Sequence, residues 1–133
     1  MSSVSFNVEG LPPRKGGANS MWGKKNEDVL RLIKLRNKAV KAMGGGKPFA
    51  HEISLHLDVR VKDAKAGDLD TFVAGVCDGL QAAPRNMSHE HLHPQLNLRD
   101  DKGFPPAVAI VNDVEVTSIC ASKVSIGASA QEG

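Results

Sequence analysis

The sequence has few of the features that would tie it to a membrane or to an oxidising compartment. Its 133 residues hold only two cysteines, Cys77 and Cys120, with no closely spaced pair. That argues against a disulfide framework. Both cysteines sit among apolar neighbours and read as small buried side chains. No N-terminal apolar run has signal-peptide form, and none approaches membrane-spanning length. A cytoplasmic protein with no membrane partner is therefore expected. The glycines and lysines of 10–25 lack the spacing of a phosphate-binding P-loop. There are no internal repeats and no convincing nucleophilic triad, and Cys77 lies on an apolar stripe that is a poor setting for a reactive thiolate.

What is present is a normal globular composition, 41% hydrophobic and 24% charged. The length fits one domain, 1–133, able to bury a core without staples. Charge is unevenly spread. Between Arg14 and Lys47 ten Lys/Arg face two acids, a net of +8, which leaves −6 for the rest of a chain whose total is +2. Such asymmetry suits a polyanion partner, although a solvated helix face explains the count equally well.

Periodicity gives the elements. Val4–Glu9 alternates as a half-buried strand does. A Pro/Gly-rich basic loop with Trp22 follows. The spacing then predicts a helix from Asn26 to Met43, capped by Asn26, favoured by Glu27 and Asp28 and stopped at Gly44–Gly46. Its inward stripe is Val29, Leu32, Ile33, Val40 and Met43, with Arg31, Lys34, Lys38 and Lys41 off it. His51–Lys62 alternates strictly and is the clearest strand. A second helix starts near Asp68, with Leu69, Phe72, Val73, Val76, Cys77 and Leu80 at helical spacing and Gly79 as a C-terminal stop. Residues 81–106 lack periodicity and read as a flexible or inserted loop. Ala107–Val111 and Val114–Ile126 read as two more strands. The expected fold is α+β, with a mixed or antiparallel sheet of about four strands and two main helices.

Two aspartates, Asp68 and Asp70, stand at the mouth of the second helix. Such a pair can simply cap it and favour its dipole. A third acid, Asp113 in "VNDVEVTS", falls between two apolar strand segments, with Asp100 and Asp101 as alternatives. Three clustered carboxylates would raise one another's pKa unless a cation relieved them, and magnesium suits such oxygen ligands. In "HEHLH", His89, His91 and His93 alternate and could hold zinc, or be incidental to a solvated loop.

The order of these pieces resembles the RusA-type Holliday-junction resolvases. The pieces are "EGLPPRKGGAN", a basic helix, "HEISLHLDVRV", "GDLDTFVAGVCDGL" and "VNDVEVTSICASKV", together roughly Val4 to Val124 without the His-rich stretch. That family comprises small homodimeric, magnesium-dependent endonucleases, often carried by prophages. The resemblance implies that Asp68, Asp70 and Asp113 are metal-holding catalytic acids for phosphodiester hydrolysis on branched DNA. Arg14, Lys15, Trp22, Lys24 and Lys25 would contact the DNA, Lys and Arg on phosphates and Trp22 by stacking or wedging. Two positions depart from the pattern: Thr71 stands where an Asn is usual, and Ala74 where a lysine is usual. A relative that binds DNA with impaired chemistry is therefore an alternative, as is a metal-binding or interaction module built on the His-rich loop.

Overall fold

The computed structural model describes residues 3–14, 22–23, 28–63, 67–83, 96, 105–126 and 133. Among these the chain runs α1 (Val29–Met43), β1 (Ile53–Val61), α2 (Leu69–Gly79) and β2 (Val116–Ser125), with a short 3₁₀ turn, Asp113–Glu115, before β2. It is thus an α and β fold with two helices. The sheet differs from expectation. β1 and β2 pair in parallel, with Leu55 opposite Ile119, Leu57 opposite Ala121 and Val59 opposite Lys123, so α2 is the crossover of a β-α-β unit.

Two expected strands are absent as ladders among the described residues. Residues 4–8 do alternate in exposure, and Phe6 and Val8 pack on the core. Residues 108–110 are buried, but only Ile110 forms a bridge, to Phe49. Their amides turn inward instead: those of Val108, Ala109 and Ile110 all donate to the Leu80 carbonyl, at 3.0–3.2 Å. On the free edge of β1, Arg60 exchanges both backbone bonds with Gly133.

α1 ends as its glycines predict, with Gly44 left-handed (φ 57°) and its amide donating to the Val40 carbonyl. Its apolar stripe is shifted from the expected one. Leu35, Arg36 and Ala39 are buried, whereas Val40 is 40% exposed. The cause is what lies above each position. Leu35 and Ala39 share a cluster with Val76 and Leu80 of α2 and Ile53 of β1, while Ile33 is covered by Trp22, Ala83 and Leu96. Val40 belongs to none of the core clusters.

Arg36, 4% exposed, is the polar centre of this packing. Its guanidinium donates to the carbonyls of Gly79 (2.9 Å), Gln81 (2.9 Å) and Pro106 (2.6 Å) and lies over the Trp22 ring, 4.7 Å from the centroid. The last carbonyls of a helix lack intrahelical partners, so Arg36 caps α2 from outside and ties α1 to it. Gly75 lets the N-terminal segment close on α2, since a Cβ there would collide with the Pro13 carbonyl.

Candidate metal centre and nucleic-acid interface

In a β-α-β unit the helix runs antiparallel to both strands, so its N-terminus meets the strands' C-terminal ends. Asp68 and Asp70 therefore stand where β1 and β2 finish. The Ile126 amide bonds the Val61 carbonyl there at 2.8 Å. Asp68 is the N-cap of α2, yet its side chain makes no capping hydrogen bond. The Thr71 hydroxyl bonds the Asp68 carbonyl instead, at 2.7 Å, and the Thr71 amide donates to Asp70 Oδ1 at 3.0 Å. Both aspartates are exposed. Capping by Asp68 does not account for the pair; the positive end of the helix dipole does favour it.

A cation comes to this end that the sequence matched to the family's strand pattern but not to a site. Lys123, on the α2-facing side of β2, donates its ammonium to the Gly67 carbonyl at 3.0 Å, one residue before Asp68. The signal that could have found it was the parallel register, which brings the end of β2 to the start of α2. Asp63, two residues beyond β1, belongs to the same end by topology.

Asp113 is at the other end. Its amide donates to Gln81 Oε1 at 3.2 Å, and the Gln81 side chain bonds the Cys77 carbonyl at 2.9 Å. Burial first, then the charges of Asp113 and Asp78, push the Cys77 thiol up. Cys77 lies seven residues from Asp70, about 10 Å along the helix. Asp70, Asp78 and Asp113 nonetheless line one shallow concavity of about 590 Å³ between α2 and β2. Its apolar wall includes Val73, Ala74 and Ile119, so the position where the family pattern has a lysine is part of this surface. Among the described residues no three His, Cys, Asp or Glu side chains gather as a metal-binding group. The expected convergence of Asp68, Asp70 and Asp113 is thus not the arrangement found: the parallel crossover places Asp113 by the last turns of α2. The residues present fit magnesium only in its sparer mode, in which one or two carboxylates and substrate phosphate oxygens hold the ion. Asp68 and Asp70 supply such a pair.

The expected DNA contacts are placed differently. Trp22 is 3% exposed and packs with Val29, Leu32 and Ile33. Its ring is buried under Arg36 rather than offered for stacking. Arg14 is drawn inward by Asp28, a carboxylate only 4% exposed. Its Nε and Nη2 donate to the two carboxylate oxygens at 2.9 and 3.1 Å, and its own amide donates at 2.9 Å. Arg31 adds a longer contact at 3.8 Å. Burial alone would raise the Asp28 carboxyl; the hydrogen bonds from Arg14 and the charges of Arg31 and Arg14 outweigh it and hold the group below its ordinary 3.8. Lys15, Lys24 and Lys25, the alternative acids Asp100 and Asp101, and the histidines 89, 91 and 93 lie outside the described residues. Cys77 is buried as expected, but Cys120 is exposed on β2, and both are free thiols. No helix among the described residues is long and apolar enough to cross a membrane.

No protein-family model, no curated protein and no solved structure matches this chain.

Proposed function

We propose that the protein is a magnesium-dependent endonuclease acting on branched DNA, in the manner of the junction resolvases its sequence resembles. The observation that carries the proposal is the exposed acid pair at the N-terminus of α2, Asp68 without a capping hydrogen bond, with the Lys123 ammonium held beside it. A bound magnesium ion would activate a water and offset charge on the leaving oxygen of a phosphodiester. Asp68 and Asp70 would hold that ion. The helix dipole and Lys123 would draw the phosphate to the same place. Asp113 enters as the acid at the far end of the same concavity. Two copies of the chain would provide one site for each of two opposing strands.

Ala74 and the placement of Asp113 favour a second reading, a protein on this scaffold that binds branched DNA without cutting it. A synthetic four-way junction separates the two. Cleavage is expected with magnesium, to be lost on Asp70→Asn and sharply reduced on Lys123→Gln. A folded wild-type protein that binds the junction but yields no product with magnesium or manganese supports the second reading and rejects the first.

A further inference from the structure

α1 carries a second polar surface that the acid end does not use. Arg31, Lys34, Lys38 and Lys41 recur at i, i+3, i+7 and i+10. At 3.6 residues per turn they form one stripe about 15 Å long. The stripe lies half a turn around the helix from Arg36, which bonds the end of α2, and about a third of a turn from Ala39, which packs with Val76 and Leu80 of α2 and Ile53 of β1. Lys34, Lys38 and Lys41 are exposed. Arg31 is held by Asp28, but no ion pair engages the three lysines among the described residues. At its N-terminal end the stripe borders a shallow concavity of about 270 Å³, lined by Glu9, Gly10, Leu11, Leu30, Arg31 and Lys34.

We infer that this stripe docks the phosphate backbone of a nucleic-acid duplex, as a surface separate from the acid end. The inference rests on the preceding reading only for the identity of the polyanion. Charge complementarity selects that partner. Duplex DNA presents one phosphate per about 1.7 Å of axis, so a 15 Å line of cations opposes several phosphates at once. Because α1 turns its apolar face to α2, a duplex on the stripe lies on the side of α1 away from the concavity. One arm of a branched substrate is then held on α1 while another approaches Asp68 and Asp70. Binding and cutting are separable on this arrangement.

The test is the salt dependence of affinity for an unbranched, labelled duplex without magnesium, so that cleavage plays no part. Replacing Lys34, Lys38 and Lys41 together by Gln, a good helix former, is expected to lower the slope of log affinity against log salt by about 3. It should also weaken binding at least about tenfold near physiological salt, with an unchanged thermal melt. Arg60→Gln, on the exposed face of β1, is expected to leave the slope alone. The inference is overturned if the folded triple variant keeps the wild-type slope, if Arg60→Gln lowers it equally, or if the wild type binds anionic vesicles or an acidic peptide but no duplex. Failure of the nuclease reading would show differently, as undiminished duplex binding with no junction cleavage.

Discussion

Arg36 offers the sharpest test of how the two helices are joined. Its fork meets three backbone carbonyls, those of Gly79, Gln81 and Pro106, and its plane covers Trp22. Arg36→Met keeps comparable length and apolar contact but leaves those carbonyls without their donor inside the fold. A hydrogen bond to a charged group contributes about 1.5–3 kcal/mol, and an orphaned buried acceptor costs about 1–3 kcal/mol. The three are not additive, and the cost of burying the guanidinium disappears with it. The expected net loss is therefore about 3–4 kcal/mol, a large share of the ~5–15 kcal/mol typical of a domain. Urea unfolding followed by circular dichroism measures it. Arg36→Lys should recover only part, because a point-like ammonium cannot match a planar fork. Hydrogen exchange should show α2 loosening from its C-terminal turn. A Met variant within about 1 kcal/mol of wild type would refute the assignment of Arg36 as the external cap of α2.

Two further outcomes follow from the geometry. The Asp28 carboxyl is depressed in the folded state, so its stabilisation is present above the ordinary value of 3.8 and is lost as pH falls through the lower folded value. Asp28→Asn should cost about 3 kcal/mol at neutral pH and flatten the loss of stability below about pH 4; an equally steep acid limb in the variant would contradict this. Ala74→Lys places an ammonium on the wall of the concavity beside Asp70. It should raise junction cleavage about tenfold, a modest share of what one well-placed donor supplies elsewhere, and an unchanged rate with intact junction affinity would count against the site.

Much of the fold was legible because local patterns carried it. Strict alternation located β1, and the i, i+3, i+4 recurrence located α2 to within a residue at its start. Gly44 marked the end of α1. What alternation does not encode is the partner. Residues 4–8 have the exposure pattern of a strand without a ladder, and 108–110 are apolar because their side chains pack into the core while their amides bond the Leu80 carbonyl. Parallel pairing also depends on contacts between β1 and a strand more than fifty residues later, which no local window contains. That same blind spot moved Asp113 from the acid pair to the other end of α2 and left Lys123, matched to the family's strand pattern, unplaced beside Asp68. For two residues of the basic loop the reason is simpler. Arg14 and Trp22 have the chemistry of DNA contacts, but the buried Asp28 and Arg36 claim them.

The Ala83 amide bonds the Pro105 carbonyl at 2.9 Å. Positions 83 and 105, far apart in sequence, are thus joined directly within the described fold. The entropy of joining two such points depends weakly on the number of residues between them: a doubling adds only about 0.6 kcal/mol. Between them the described Leu96 is buried in the same cluster as Trp22. A change in the number of residues between 83 and 105 that keeps this bond and Leu96 should therefore leave the pairing of β1 with β2 and the lysine row of α1 in register.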